Sequence, residues 1–357
     1  MTSNLKIRKA DDMHIHLRQG DLLAKVLPYT AKQCARALVM PNTTPPIVTS
    51  DDLSKYRTSI QQLLSKEDDF IPLMTFRVMP TTTPAMVKDH IRVGATAGKL
   101  YPEGVTTNSE GGVKDLQSLY PVYKAMQEEG LVLCLHGEVP GLFSLDRETA
   151  FLETLRALAK DFPKLKIVLE HATTADAIET VLRLPTNVAA TITAHHLRIT
   201  LDDVIGDKLN PHVFCKPIAK RPSDRDALVK AATSGNPKFF LGSDSAPHPV
   251  ETKECACGAA GVYTAPVLLP VLAETFEEAG HLDKLESFTS RFGAEFYGLP
   301  LNDQYIELQR ESWKVESQYG GVVPFMAGHT FKWKVVACQG KLETETKKET
   351  GRSSVRA

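Results

Sequence analysis

The sequence predicts an α/β protein, a TIM-type (β/α)8 barrel with a small C-terminal flanking segment. Eight short apolar or β-branched runs alternate with stretches of helical apolar spacing. Polar or ionisable residues stand at the ends of six of these runs. Eight β-α units in series are what a closed parallel barrel requires. The alternative, an open doubly wound sheet, is disfavoured because no glycine-rich phosphate-binding turn follows the first run.

The predicted strands follow one another in chain order. They span residues 12–17, 36–40, 70–77, 97–101, 131–136, 166–171, 188–193 and 239–244. Residues 116–130 and 224–235 have helical spacing and end on glycine, a common helix stop. Beyond residue 300, segments around Trp313, Phe325 and Trp333 are expected to pack as strands on the flank of the barrel. We therefore expect one domain over residues 1–337 and a polar, disordered tail over 338–357.

Composition excludes several classes of function. The 357 residues include 42 basic and 43 acidic side chains, which argues against a nucleic-acid-binding surface or an electrostatic membrane anchor. No apolar run approaches the roughly 20 residues of a membrane span, and residues 1–10 lack the apolar core of a secretory signal. The six cysteines are expected to be reduced, and Cys255 with Cys257 has no second pair that would complete a zinc finger. The expected location is the cytoplasm, and the expected partner is a small molecule.

Chemically active side chains collect at the predicted strand ends, where a barrel of this type has its active site. They are His14, His16, Asn42, Lys99, His136, His171 and Asp244. Filling the core does not explain them, because unpaired buried charges are costly. The sequence therefore predicts one site at the carboxyl-terminal mouth of the barrel.

His14, His16 and Arg18 have the spacing i, i+2 and i+4, so a strand would direct all three to one face. Neutral imidazoles suit zinc, and a guanidinium can bind a carboxylate with two hydrogen bonds. The pattern predicts a metal and an anion in the same mouth. Alternating histidines also occur in solvated edge strands. The polar and ionisable residues at the ends of the other predicted strands argue against that alternative.

Four histidines and an aspartate exceed the ligand set of one zinc ion, so two ions are implied. Two dications near each other need bridging anions, and one aspartate is not enough. Lys99 could supply a second anion if carbon dioxide converted its amine to a carbamate. The alternative is an unmodified Lys99 in a salt bridge.

Together these residues resemble the metal-dependent amidohydrolase superfamily, and within it the shorter, stand-alone type of the dihydroorotase family. The resemblance runs from about residue 5 to residue 333. Its motifs occupy residues 12–18, 40–46, 99–108, 135–138, 170–171, 193–197 and 242–248. It implies hydrolysis of L-dihydroorotate and, in the biosynthetic direction, cyclisation of N-carbamoyl-L-aspartate on the way to pyrimidines. It also implies a homodimer.

The resemblance implies a role for each metal-site residue. His14, His16 and Asp244 would hold the more buried zinc ion, and His136 and His171 the more exposed one. Carboxylated Lys99 and a hydroxide would bridge the two ions. The hydroxide would attack the ring amide, and Asp244 would carry the proton to the departing ring nitrogen.

The resemblance also implies substrate contacts. Arg18, Asn42 and His248 would bind the carboxylate outside the ring, and the backbone near Lys216 and Ala260 would bind the pyrimidine edge. Thr106 and Thr107 would lie in a loop over residues 104–112 that closes on the substrate, although a plain solvated turn is the alternative.

His195 and His196 match no ligand position, so they are expected to pack or to form hydrogen bonds around the site.

Two alternative functions stay open from the sequence. A dihydropyrimidinase would share the metals but act on rings without the carboxylate, against which Arg18 and Asn42 argue. A metal-free scaffold on the same barrel would have lost ligands, whereas every ligand position is filled here.

Overall fold

A parallel barrel forms the body of the chain. The computed structural model describes residues 3–66, 68–106, 109 and 111–339. A first strand, β1 (Asn4–Arg8), precedes the barrel. The barrel strands are β2 (Ala10–Ile15), β3 (Cys34–Val39), β4 (Ile71–Val78), β5 (Ala95–Leu100), β6 (Val132–His136), β7 (Ile167–Glu170), β8 (Val188–Ile192) and β9 (Phe239–Leu241). Each is hydrogen-bonded in parallel to the next, so all eight predicted strands are confirmed.

The barrel closes at its carboxyl-terminal mouth. A parallel bridge joins Ile15, at the end of β2, to Ser245, which follows β9. His16 N donates to Ser245 O at 3.0 Å, and Asp244 N donates to His14 O at 2.8 Å. The residues that close the barrel are therefore the residues that carry the predicted metal ligands.

Helices cover the outside of the barrel. They are α1 (Gly20–Gln33), α2 (Ser50–Leu63), α3 (Pro84–Arg92), α4 (Tyr120–Glu128), α5 (Arg147–Asp161), α6 (Ala175–Arg183), α7 (Leu201–Ile205), α8 (Pro222–Thr233), α9 (Val250–Lys253), α10 (Leu268–Glu278) and α11 (Phe292–Tyr297). Local sequence sets several starts: Thr49 caps α2 by accepting from Asp52 N, and Thr174 caps α6 by accepting from Ala177 N. The two predicted helices correspond to α4 and α8.

Two apolar layers hold the fold. The larger lies between the strands and the helices, and a smaller cluster fills the inside of the barrel. Ala97, Cys134 and Val168 belong to the inner cluster. Side chains alternate along a strand, so the residues two positions further on also face inward. Those residues are Lys99, His136 and Glu170, which places them directly above the packed interior.

A separate antiparallel sheet covers the flank. It consists of β1, β10 (Tyr305–Lys314) and β11 (Thr330–Gln339), in the order β1-β10-β11. Trp313 and Trp333 lie in these strands as expected, whereas Phe325 lies between them and is buried in the core. The predicted tail starts two residues too early, because β11 runs through residue 339; residues 340–357 lie outside the described part of the chain. Within that part, no helix has the length and apolarity that crossing a bilayer requires.

Candidate active site

A cleft opens at the mouth of the barrel. It is lined by the predicted residues His14, His16, Arg18, Asn42, Thr106, His136, His171, Lys216, Asp244 and Ala260. Lys99 lies fully buried beneath the cleft, and His248 lies beside it in contact with Arg18. Thr107 lies outside the described residues. The cleft therefore brings together most of the side chains that the sequence singled out.

Three ligand atoms meet at the centre of the cleft. His14 Nε2 lies 3.3 Å from His16 Nε2 and 3.3 Å from Asp244 Oδ1, and His16 Nε2 lies 3.0 Å from the same Oδ1. A tetrahedral zinc shell with bonds of about 2.0–2.1 Å places neighbouring ligand atoms about 3.3 Å apart. The spacing and chemistry of the three atoms thus fit a zinc ion.

The ends of β2 and β9 are locked together behind these ligands. The Asp12 carboxylate accepts from His14 N at 3.1 Å, from Ser243 N at 2.8 Å and from Ser243 Oγ at 2.5 Å. Gly242 allows close approach, because a Cβ there would lie 2.9 Å from His14 Cβ and 2.7 Å from Thr191 Cβ. Asp12 and Gly242 therefore fix the backbone that presents His14 and Asp244.

His136 and His171 form a second group of imidazoles. Their ring centroids are 4.7 Å apart, and the His171 ring is 5.1 Å from that of His14. His171 has a φ of 43°, a left-handed conformation, and its N–H donates to Thr191 Oγ1 at 2.7 Å. This turn directs its ring into the mouth just after β7 has ended. Its buried Nδ1 has no hydrogen-bond partner within the described structure.

Two glutamates hold the imidazoles, and the sequence reasoning assigned neither of them a role. Glu170 contacts His14 Nδ1, and Glu138 Oε2 lies 2.7 Å from His136 Nε2. A carboxylate that accepts from one ring nitrogen leaves the other nitrogen free to bind a metal. His14 then presents Nε2 and His136 presents Nδ1. The sequence could have indicated these glutamates by their closeness to predicted ligands. Glu170 directly precedes His171, and Glu138 follows His136 by two residues.

Burial favours neutral imidazoles, the form that binds metals. It lowers the pKa of His16 to about 4 and also lowers the pKa of His136 and of His171. Burial acts in the same direction on His14, but the Glu170 and Asp244 carboxylates together outweigh it and raise the pKa of His14. The pKa of Asp244 lies well below its usual value: burial opposes ionisation, and the neighbouring His14 and His16 favour it.

Lys99 is buried without a hydrogen-bond partner. Its side chain is 0% exposed, and among the described residues nothing accepts from Nζ. Burial lowers the pKa of Lys99, while the Glu170 charge opposes the shift. The salt bridge offered as the alternative is therefore absent from the described residues. A deprotonated amine is the form that reacts with carbon dioxide, so the surroundings fit a carbamate.

Arg18 reaches the cleft differently from the prediction. Strand alternation was expected to direct it to the same face as His14 and His16, but β2 ends at Ile15, and Arg18 has a φ of 62°. The Tyr56 hydroxyl donates to Arg18 O at 2.6 Å and fixes this turn. Arg18 Nε donates to Pro247 O at 2.9 Å, and one terminal nitrogen lies 2.8 Å from His248 Nε2. The turn, rather than strand alternation, places the guanidinium in the cleft.

The charges around Arg18 suit an anion. Burial lowers the pKa of Arg18 to about 10, so it remains a cation at neutral pH. Burial and the Arg18 charge lower the pKa of His248 to about 3, so His248 is neutral. Asn42 is buried and also lines the cleft. The guanidinium is thus held by neutral partners, and its charge is available to a ligand.

The described residues of the predicted loop over 104–112 include one that lines the cleft. Thr106 lines the cleft, and its N–H donates to Ser109 Oγ at 3.0 Å. Ser109 Oγ in turn donates to Thr106 O at 2.6 Å. Gly104 and Gly111 have φ values of 75° and 66°, which glycine tolerates best. Tyr101, just before the loop, also lines the cleft, although the sequence reasoning gave it no role.

His195 and His196 follow the carboxyl end of β8 and are not among the residues that line the cleft. His196 Nδ1 is 2.9 Å from Thr193 Oγ1, and its Nε2 is 3.1 Å from Pro217 O. Cys215 Sγ lies 3.4 Å from the same Nε2. His195 is fully buried and its ring packs against His196. Packing and hydrogen bonding thus account for His196.

Comparison with known proteins gives a consistent result. The Amidohydrolase family model matches residues 11–303. Dihydroorotase from Teredinibacter turnerae is 48% identical over 342 residues, covering 94% of this chain and 99% of that protein. Dihydroorotase from Vibrio vulnificus is 47% identical over 341 residues, covering 93% and 99%.

Solved structures agree with the sequence relatives. The structure of Saccharomyces cerevisiae dihydroorotase in complex with 5-fluoroorotic acid has a TM-score of 0.89 and 39% identity, and covers 96% of this chain and 100% of that chain. Campylobacter jejuni dihydroorotase has a TM-score of 0.86 and 41% identity, covering 94% and 98%. L-Hydantoinase from Arthrobacter aurescens, with a TM-score of 0.81 but 17% identity and coverage of 94% and 84%, shares the fold alone.

Proposed function

The chain belongs to the amidohydrolase family and has the activity of a dihydroorotase, and we propose that its cleft performs this reaction with two zinc ions and a carboxylated Lys99. The reaction is the reversible cyclisation of N-carbamoyl-L-aspartate to L-dihydroorotate in pyrimidine biosynthesis. The observation that carries the proposal is the convergence of His14 Nε2, His16 Nε2 and Asp244 Oδ1 within 3.3 Å, in a cleft that also holds Arg18.

In this proposal His14, His16 and Asp244 hold one ion and His136 and His171 the other. A carboxylated Lys99 would supply the further anionic ligand that two ions need. When bound, the ions lower the pKa of water to supply a nucleophile at neutral pH and polarise the ring amide carbonyl. Glu170 and Glu138 keep the metal-binding nitrogens of His14 and His136 unprotonated.

Asp244 is the proposed proton carrier. Its Oδ1 lies beside His14 Nε2 and His16 Nε2, where it would bind the same ion, which leaves Oδ2 to take up a proton. Its low pKa keeps it ionised before the reaction, as an acceptor must be. During hydrolysis Oδ2 takes the proton from the attacking water and delivers it to the departing ring nitrogen. Cyclisation follows the same path in reverse.

Arg18 supplies the selectivity for dihydroorotate. Its guanidinium, with Asn42 and His248, is proposed to bind the carboxylate outside the ring, and a dihydropyrimidinase substrate has no such group. The backbone at Lys216 and Ala260 is proposed to bind the pyrimidine edge. The loop that carries Thr106 and Thr107 is proposed to close over the bound substrate.

The test is the loss of dihydroorotate followed by ultraviolet absorbance, with and without a chelator, alongside elemental analysis. We expect about two zinc ions per chain and loss of activity on chelation. A reproducible value near one in fully active protein would overturn the two-ion mechanism. Activity that survived complete removal of metal would overturn the metal-dependent proposal. We also propose a cytoplasmic homodimer, which sedimentation and fractionation would test.

A further inference from the structure

Lys253 is a buried lysine near the cleft that the proposed reaction does not use. It ends the short helix α9, and only 3% of its surface is exposed. Its Nζ donates to three carbonyl oxygens: Phe214 O at 3.0 Å, Ala259 O at 2.8 Å and Gly261 O at 2.7 Å. An ammonium has three N–H donors, and all three are used.

The three acceptors belong to two segments that are far apart in sequence. Phe214 lies between β8 and α8, whereas Ala259 and Gly261 lie between β9 and α10. A direct hydrogen bond from Gly261 N to Phe214 O, at 2.9 Å, joins the same two segments. Each segment also contributes to the cleft lining, through Lys216 in one and Ala260 in the other. Lys253 therefore ties together the two backbones proposed to bind the pyrimidine edge.

The hydrogen bonds alternate along the second segment. Ala259 and Gly261 direct their carbonyls to Lys253, while Ala260 O between them lies 3.0 Å from His248 Nε2. This alternation is typical of extended backbone. It turns the Ala260 carbonyl away from the lysine and toward the side of the cleft where His248 contacts Arg18. The position of Lys253 thus sets the orientation of the Ala260 peptide.

We propose that Lys253 is a positioning residue for substrate recognition: its buried ammonium, by binding Phe214 O, Ala259 O and Gly261 O, fixes the Lys216 and Ala260 backbone against the pyrimidine edge. Lys253 itself lies outside the cleft lining. The inference rests on the proposed ring contacts of Lys216 and Ala260. Removing the ammonium should loosen both segments and leave the metal ligands in place.

Lys238 provides a matched control. Its Nζ also donates to three carbonyls, those of Val181, Leu182 and Leu184, at the end of α6. It immediately precedes β9, so it lies at the end of the barrel opposite the cleft. Lys253→Met and Lys238→Met each replace a lysine bound to three carbonyls with an apolar side chain of similar length. Only the first should affect substrate binding.

Steady-state kinetics with dihydroorotate tests the consequence for binding. For Lys253→Met we expect KM to rise on the order of tenfold or more, with a smaller change in kcat and an unchanged metal content. Lys238→Met should keep the parent KM. Equal KM values in the two variants would overturn the proposal for Lys253. An inactive parent protein would instead overturn the proposed function.

Hydrogen–deuterium exchange tests the tie itself, independently of activity. Exchange should rise in peptides covering residues 212–218 and 258–264 of Lys253→Met and stay unchanged there in Lys238→Met. Unchanged exchange in Lys253→Met would overturn the proposal whatever the kinetics. Should Lys253→Met fail to fold, Lys253→Arg keeps the charge, but its planar donors cannot meet three carbonyls that converge on one point. It should show a smaller KM increase, and a parent-like KM would count against the proposal.

Discussion

Replacing Arg18 with lysine separates substrate recognition from metal chemistry. Arg18 Nε and one terminal nitrogen are engaged by Pro247 O and His248, so the remaining guanidinium N–H groups are available to the substrate carboxylate. Lysine keeps the charge but loses the planar pair of donors. Neither of the two hydrogen bonds that hold the guanidinium goes to one of the six proposed metal ligands, so metal content should not change.

The size of the effect follows from the bonds lost. One charge-assisted hydrogen bond contributes about 1.5–3 kcal/mol, which corresponds to a roughly 10- to 140-fold fall in kcat/KM for dihydroorotate. The lysine would also lose the contact to Pro247 O that orients the group, so the upper part of this range is expected. Arg36→Lys is the matched control, because Arg36 is buried and its Nε donates to Asp11 Oδ1 at 3.0 Å.

The assay compares two substrates by ultraviolet absorbance, with elemental analysis of each variant. Dihydrouracil has the same ring without the carboxylate, so the parent should hydrolyse it very poorly and Arg18→Lys should lose little further. Arg36→Lys should keep the parental preference between the two substrates. A parent protein that hydrolyses dihydrouracil as readily as dihydroorotate would contradict carboxylate recognition by Arg18, as would an Arg18→Lys variant that loses the same factor on both substrates.

Further predictions concern the metal site and the proton. Lys99→Ala should lose metal and activity together, and short carboxylic acids should partly restore both; retention of both metals with most of the rate, by elemental analysis and assay, would contradict the bridge. Asp244→Asn should lower the rate about 10²–10⁴-fold in both directions, and a loss in one direction only would contradict a shared proton carrier. Because cyclisation consumes a proton, acidic buffer should favour synthesis and alkaline buffer hydrolysis, which the equilibrium ratio of the two compounds measures.

Much of the barrel could be predicted because its signals are local. Strand β3, for example, is buried along its whole length, as a parallel strand covered on both sides must be, and reads as a short apolar run. The inward-facing Lys99 and His136 follow inner-cluster residues by two positions, so period-two alternation places them correctly. The strand β1 was not predicted, because its pairing partner, β10, lies about 300 residues away in the sequence.

The supporting carboxylates were harder to find. Glu170 and Glu138 stand beside predicted ligands in the sequence, but their distances to His14 and His136 depend on how neighbouring strands line up. The same holds for Lys253, whose three acceptors come from separate segments. Spacing along one strand can indicate a ligand, whereas a partner on another strand becomes visible only when the barrel is closed.

Backbone turns explain both the site and the error at Arg18. Apart from Met326, the non-glycine residues with left-handed φ in the described structure are Arg18, His171 and Asp244, all in the cleft. Such conformations cost on the order of 1–3 kcal/mol each and persist only where surrounding contacts hold them. Here the contacts are hydrogen bonds from Tyr56 Oη to Arg18 O, from His171 N to Thr191 Oγ1 and from Asp244 N to His14 O. Each turn follows the end of a strand and redirects one side chain into the mouth. Strand alternation therefore predicts which residues reach the end of the barrel, and these turns determine how three of them face the cleft.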